Sequence, residues 1–497
     1  MTETIYHNTP LSHLLDVQHD LLDACCIQGV VTDSRAVKPG FLFIARQGVH
    51  LDATGFIGHA IAQGAVAILQ EAESYSIEER SGVVYVYVTD LLQCAGRVIS
   101  RFFGDPSSAM QMIGITGTNG KTSCTHFIAQ ALTHVGTKAA VIGTIGNGLI
   151  GQLTSATHTT PEVANLHALL ADFKQSGVQS VAMEVSSHAL DQGRTEGVEF
   201  SIVGLTNLTR DHLDYHQTME AYAESKSRLF QNPAATQILN VDDMLGQKVM
   251  GETTAKRRYT YSLHDHKADI YLINATQHAQ GMTLSIASPW GIVEFESRLM
   301  GRFNISNLML TLGVLGELGL SCQSITQALT ELNSVCGRLE KVSDHQEFSV
   351  FVDYAHTPDA LEQTLKALSE HQSSTGRIIC VFGCGGDRDK GKRPLMAQVA
   401  STLADLIIIT SDNPRTEDPL KILAEIEVGI TPHATQHLIE VDRARAIYKG
   451  IELARTGDIV LIAGKGHESY QEINGVRSHF SDQEVARAAL AVERRLT

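Results

Sequence analysis

The residues best suited to chemistry lie in the stretch Ile113 to Ser123, IGITGTNGKTS. An apolar run enters a tight Gly-rich turn, and Lys121 and Thr122 then open a helical pattern. The common phosphate-binding loop reads G-x-x-x-x-G-K-[ST]. Here Ile115 stands where the first glycine would be, so the match is the shortened Gly117-Thr118-Asn119-Gly120-Lys121-Thr122. In such a turn the backbone N–H groups and the helix N-terminus face an anion. Gly117 and Gly120 permit close approach, Lys121 suits the β/γ-phosphates of a nucleotide, and Thr122 suits Mg²⁺. The plainer alternative is a Gly-rich turn with a helix cap. No Asn-Lys-x-Asp guanine reader occurs anywhere in the chain, which speaks against a GTPase switch.

Three further residues have suggestive settings. Glu184 closes the apolar run in AMEVSSHAL, where a second acidic metal ligand of a nucleotide site would sit; alone, such a residue is a solvated strand end. His212 lies in TRDHLDYHQT, which lacks the His-Glu-x-x-His arrangement of a helical zinc protease, so no zinc site is expected. Lys226, in AYAESKSRLF, sits on an amphipathic pattern with Tyr222 and Leu229 on the packed side. By the general habit of lysine it reads as a surface residue.

The elements that must position these groups fall into three segments. Up to about Arg101, short strands such as VVYVYV mix with helical stretches such as GFIGHAIAQGAVAILQEA. From Gln111, the runs MIGITG, AAVIGT, SVAMEV and SIVGLTN are apolar and end in small or polar residues. Continuous apolar runs between helical patterns indicate a parallel sheet covered on both faces, whose ligands lie beyond the carboxyl ends of the strands. Residues 270 to 300 read as alternating strands, with a helix from Asn304. After CGRLEKV the βα rhythm restarts with FSVFVDYAH, RIICVFGCGG, LIIITSDNP and DIVLIAGKG. The expected architecture is α/β with three domains. Residues 1–101 form an N-terminal α/β domain, 102–336 a central P-loop parallel-sheet domain, and 337–497 a C-terminal Rossmann-like domain.

Composition narrows the function classes. At 497 residues the chain exceeds one core, and its formal charge of −16 argues against a general nucleic-acid binder. The first residues, MTETIYHNTP, have neither the basic nor the apolar region of a signal peptide, and no apolar run reaches membrane-spanning length. The eight cysteines fit neither zinc nor CxxC spacing and read as thiols of a reducing compartment. The expectation is a cytoplasmic monomer without nucleic-acid or membrane partners.

Eleven motifs occur in order: TGTNGKTS, HTTPE, EVSSHAL, TNLTRDHLDYH, KSRLF, GRFNISN, GRLE, DYAHTPD, FGCGGDRDKGKRP, SDNPRTEDP and AGKGHE. Together they closely resemble the Mur ligases of peptidoglycan synthesis, and among them the members that add the third residue of the stem peptide. The resemblance runs from TDSR at Thr32 to the last helix. It implies ATP as cosubstrate, two Mg²⁺ ions, and activation of a carboxylate as an acyl phosphate that an amine then attacks. The carboxylate would be the terminal D-glutamate of UDP-N-acetylmuramoyl-L-alanyl-D-glutamate.

The resemblance also implies residue roles. Lys121 and His212 would lie at the γ-phosphate, and Thr122, Glu184 and Lys226 would hold metal, Lys226 as a carbamate. Asn304, Arg338, Asp353 and His356 match positions that close over adenine and ribose. Thr159, Thr160, Ser186, Gln192 and Arg194 match contacts to the UDP-sugar dipeptide. Ser34 and the GVHLD segment, with Val49, His50 and Leu51, match the uridine pocket. SDNPR has the form found in members that add meso-diaminopimelate, where Asp412, Asn413, Pro414 and Arg415 join Arg388, Gly464 and Glu468. Diaminopimelate carries one carboxylate more than lysine, and a bidentate arginine is its natural reader. The competing readings are a lysine-adding or folylpolyglutamate-type ligase and, in another class, a P-loop ATPase serving as a binding module.

Overall fold

The computed structural model describes residues 8–46, 53–278, 281–343, 347–372, 376–431 and 436–493. It is α/β throughout, as expected, and divides into two compact units, residues 1–114 with 137–203 and residues 115–136 with 204–497. Among the described residues no helix is long and apolar enough to cross a membrane.

In the first unit a five-stranded sheet runs in the order Gly29–Val31, Phe41–Ala45, Ala65–Glu71, Val83–Val88, Ser76–Arg80. Side chains alternate across it. Leu42, Ile44, Leu69, Val84 and Val86 face the helix Leu91–Phe102, while Phe41, Phe43, Ala45 and Ile68 face Ala60 of the helix Ile57–Ala62. The helical reading of GFIGHAIAQGAVAILQEA therefore holds only for its first half. Gly64, at φ +102°, ends the helix, and the continuous apolar run after it is the buried strand Ala65–Glu71. The same unit pairs Ser180–Glu184 in parallel with Ala139–Ile142.

The second unit begins with the phosphate-loop segment and helix α1 (Lys121–His134), and continues through α2 (Met219–Ser227) and α3 (Arg302–Glu317). Helix α3 is apolar on nearly every side and is buried accordingly. Strands Ile270–His278, Gly281–Ser288 and Gly291–Ser297 pair antiparallel, matching the alternation read there.

The restarted βα rhythm gives β1 (Ser349–Asp353), α4 (Pro358–Ser369), β2 (Ile378–Phe382), α5 (Lys392–Leu403), β3 (Leu406–Ile409), α6 (Arg443–Glu452), β4 (Ile459–Ala463) and α7 (Asp482–Glu493). The sheet order is 340–341, β1, β4, β2, β3, 436–439. Phe351, Cys380, Phe382, Ile407 and Leu461 face α4 and α5. Val350, Val381, Ile408 and Ile462 face α6 and α7. Both faces are covered, which explains why these strands read as unbroken apolar runs. The parallel register aligns Asp353 and Phe382 with Ala463, and Phe382 with Ile409. Four strands thus end at one level, and the polar tails that follow them emerge side by side.

Candidate active site

The phosphate loop is held open by its surroundings. A Cβ on Gly117 (φ +146°) would lie 1.8 Å from Thr206 Oγ1, and one on Gly120 (φ +85°) 2.5 Å from Asn307 Oδ1, so neither position admits a side chain. Thr118 N–H donates to Asn207 O (2.8 Å) and Asn119 N–H to Asn207 Oδ1 (3.0 Å). Lys121 Nζ folds back onto the Gly117 and Thr118 carbonyls at 2.9 Å each, and Lys226 Nζ donates to the Gly117 carbonyl at 2.7 Å. Two lysine amino groups therefore meet one carbonyl.

Lys226 is 1% exposed, so the surface reading was wrong. The last turn of α2 points inward over Tyr222, whose ring lies 4.6 Å from Nζ. Burial, reinforced by the Lys121 charge, holds its pKa well below the ordinary lysine value despite Asp211 and Asp243.

A cavity of about 230 Å³ opens beside the loop, lined among others by Gly120, Ser123, Phe303, Asn307, Arg338, Tyr354 and Gln363. Arg338 stacks 4.4 Å over the Tyr354 ring and donates to Thr122 Oγ1 at 3.0 Å. Asp359, in the first turn of α4 behind its Thr357 cap, accepts from Asn119 Nδ2 at 2.9 Å, and burial pushes its carboxyl pKa up. Asp353 accepts from Leu339 N–H (2.6 Å) and Ala355 N–H (2.8 Å), which fixes the turn carrying Arg338. Asn304 bonds Met300 O and Asn307, one turn from the loop. His212 Nε2 lies 3.3 Å and His356 Nε2 3.8 Å from Asp211 Oδ2. Burial pushes the Asp211 carboxyl up, but His356, His212 and Lys392 outweigh it and hold it well below the usual carboxylate range.

The tails of β1 to β4 build a second cluster. Arg415, after β3, adopts φ +51°, and its Nη1 donates to Gly386 O at 2.7 Å. Arg388 Nη1 donates to Asp387 O at 2.9 Å. A Cβ on Gly385 would stand 2.9 Å from Arg415 Nη1 and 3.8 Å from Arg388 Cγ, so this glycine keeps the space between both arginines clear. Pro414 O accepts from Glu417 N–H, and Asn413 Nδ2 donates to Glu468 Oε2 at 2.8 Å. Gly464, at φ +116°, brings the tail of β4 within 3.0 Å (measured from its would-be Cβ) of Asp412 Oδ2. Burial pushes the Asp412 carboxyl up, yet Lys465, Arg443, Arg415 and His356 together hold it below the ordinary value. Beneath these loops Arg443 and Asp482 form an ion pair at 2.6 Å with neither side chain exposed, and Arg443 also donates to the Ala463 and Ser411 carbonyls.

The first unit carries its own polar network. Thr144 N–H and Oγ1 donate to Glu184 at 2.8 and 3.1 Å, and Thr144 Oγ1 lies 3.0 Å from Thr159 Oγ1. Thr160 Oγ1 donates to Glu184 O (2.8 Å) and accepts from Ser186 N–H (3.1 Å). Arg194 grips Gln192 Oε1 at 2.6 and 2.9 Å and pairs with Glu162 at 3.0 Å. Arg46 donates to Gln192 O, so a second guanidinium stands beside Arg194. Ser34 is buried at the start of a single 3₁₀ turn. Val49, His50 and Leu51 lie outside the described residues.

The chain matches the Mur ligase family, catalytic domain, over residues 26–102, the Mur ligase middle domain over 115–315, and the Mur ligase, glutamate ligase domain over 337–466. It is 45% identical to the UDP-N-acetylmuramoyl-L-alanyl-D-glutamate–2,6-diaminopimelate ligase of Coxiella burnetii, across 97% of this chain and 99% of that one. The Pseudomonas aeruginosa protein of the same name is 45% identical across 95% and 96%. The chain belongs to the Mur ligase family. A solved structure of a ligase of that name superposes with a TM-score of 0.72 at 38% identity, covering 98% of this chain and 99% of that one. This Mur ligase is an ATP-dependent, amide-bond-forming enzyme.

The structure places further residues against the candidate site residues that the motifs alone do not single out. Asp211, Asn307, Asp359 and Lys465 all lie inside the ordered motifs TNLTRDHLDYH, GRFNISN, DYAHTPD and AGKGHE, so the signal was present without the role. Arg46 lies in none of them, and only its contact with Gln192 reveals it.

Proposed function

We propose that this Mur ligase joins meso-diaminopimelate to the D-glutamate of UDP-N-acetylmuramoyl-L-alanyl-D-glutamate, within residues 1–101, 102–336 and 337–497 as its UDP-substrate, ATP and amino-acid domains. The γ-phosphoryl group of ATP passes to the carboxylate, giving an acyl phosphate and ADP. The acceptor amine attacks the acyl carbon, and the tetrahedral intermediate loses phosphate and a proton to leave the amide. A carboxylate is a poor electrophile, so the phosphate serves as its leaving group, and the protein's work is to position and to balance charge.

Gly117, Thr118, Asn119 and Gly120 cradle the phosphates with Lys121 and Thr122, while Asn304, Arg338, Asp353 and His356 surround the nucleoside. Ser34, Val49, His50, Leu51, Thr159, Thr160, Ser186, Gln192 and Arg194 hold the UDP-dipeptide. His212 faces the phosphoryl group.

Thr122, Glu184 and Lys226 would hold two Mg²⁺ ions, which when bound screen the phosphoryl charge. The donor set fits a hard cation only if Lys226 presents oxygen, since hydroxyl and carboxylate suit Mg²⁺ and an ammonium does not. Addition of the neutral amine to CO₂, with loss of a proton, gives that carbamate. Burial of Lys226 against the Gly117 carbonyl supports this assignment. The enzyme acts as a cytoplasmic monomer on small molecules, without nucleic-acid or membrane partners.

One observation carries the choice of acceptor: two guanidinium groups, Arg388 and Arg415, flank Gly385, while the carboxylate of Glu468 is bonded to Asn413 two residues from Arg415. That arrangement suits a group bearing both a carboxylate and an ammonium, as the distal end of diaminopimelate does. The test is phosphate release with ATP and the UDP-dipeptide across a panel of amino acids. Release dependent on meso-diaminopimelate is expected. Preference for lysine, or acceptor-independent hydrolysis, would overturn the assignment.

A further inference from the structure

Lys465 has no exposed surface, which is rare for lysine and requires paired charge. Its Nζ donates to Glu468 Oε2 at 2.9 Å and to Asn413 Oδ1 at 3.1 Å, and lies 3.7 Å from Asp412 Oδ1. Asn413 Nδ2 donates to the same Glu468 oxygen at 2.8 Å, and Asn413 Oδ1 also accepts from Glu472 N–H at 3.0 Å. Lys465, Asn413 and Glu468 thus close a triangle that fixes the amide orientation and occupies Oε2. We propose that Lys465 is a positioning residue for acceptor selectivity: it clamps Glu468 so that Oε1 meets the distal ammonium of the acceptor.

Charge balance supports the assignment. Arg443 is neutralised by Asp482, with both side chains fully buried. Asp412 and Glu468 share Lys465 between them, so these three groups together carry a negative balance toward an incoming ammonium. Arg415 and Arg388 stand ready for the accompanying carboxylate. Without Lys465, the carboxylates of buried Asp412 and partly buried Glu468 would face one pocket with no ammonium between them. Glu468 would then lose its orientation.

This inference rests on the proposed reading that Glu468 receives the distal ammonium. The experiment compares kcat/KM for meso-diaminopimelate with that for 2-aminopimelate, which keeps the attacking amine and both carboxylates but lacks the distal amine. Glu468→Gln should abolish the preference for diaminopimelate; if it does not, the acceptor reading itself fails. With that reading intact, Lys465→Met should lower the preference roughly tenfold or more, while KM for ATP and the UDP-dipeptide stay within about twofold. An equal loss for both acceptors, or no change, would overturn the inference. Should Lys465→Met not fold, the double variant Lys465→Met/Glu468→Gln removes the pair together. Its preference should equal that of Glu468→Gln alone, and a preference that reverses toward 2-aminopimelate, or returns toward diaminopimelate, would show that Lys465 acts independently of Glu468.

Discussion

Arg415 offers a perturbation whose structural and functional consequences separate. Its backbone is left-handed at φ +51°, with N–H donated to Glu472 O (3.0 Å) and C=O accepting from Asn474 N–H (2.6 Å). Among the described residues, the side chain makes one protein hydrogen bond, to Gly386 O. Arg415→Ala keeps the strained backbone and loses that bond, at a cost of about 1 kcal/mol in stability. Arg415→Gly also loses the bond but relieves a left-handed penalty of about 1 kcal/mol, so its stability should match wild type. Toward substrate both variants lose the same charge-assisted contact to the acceptor carboxylate, on the order of 2–3 kcal/mol, or about thirty- to a hundredfold in apparent affinity. The assays are urea denaturation and steady-state kinetics with each substrate varied in turn. KM for meso-diaminopimelate should rise equally in both variants, with KM for ATP and the UDP-dipeptide nearly unchanged. Equal damage to all three KM values, or a KM that tracks stability between the two variants, would show that Arg415 supports the loop and does not read the acceptor.

Other outcomes follow from the same geometry. Lys226→Ala and Lys226→Arg should each remove most turnover, because neither side chain forms a carbamate, and short carboxylic acids should partly restore Lys226→Ala; near wild-type turnover at saturating Mg²⁺ would refute the carbamate. Arg443→Met leaves Asp482 buried without its partner and should destabilise the protein by about 3–5 kcal/mol in chemical denaturation, whereas Arg443→Met/Asp482→Leu should recover much of that loss. Burial lowers the His126 pKa from 6.5 to about 4 and that of His467 to about 3, so the unfolded chain binds more protons than the native one between these values and 6.5. Stability should be full above pH 6.5 and decline on acidification toward pH 4 and 3, and His126→Phe should flatten the upper part of that decline in denaturation measured across pH.

The sequence exposed those parts of the site that local chemistry dictates. Gly117 and Gly120 are required by backbone approach to Thr206 and Asn307, and a glycine-rich turn before Lys-Thr announces that need within six residues. The apolar strands of the last sheet were equally plain, because burial on both faces leaves no polar alternation to interpret. The helical reading of residues 55–72 failed at Gly64, where an apolar run too short for its own periodicity fitted either structure.

Lysine was the least legible residue type, for a physical reason. Lys226 and Lys465 are each almost wholly buried, yet nothing in the local sequence around either lysine supplies the partners that this burial requires in full. What buries Lys226 is a carbonyl 109 residues away, and what neutralises Lys465 is a carboxylate, an amide and a second carboxylate, two of which arrive only because β3 and β4 end at one level. Burial of a charge requires partners, and partners brought by register leave no trace in local spacing. An isolated lysine inside a motif of glycines and acids, as in AGKGHE, therefore marks a position where long-range geometry decides between solvent and site.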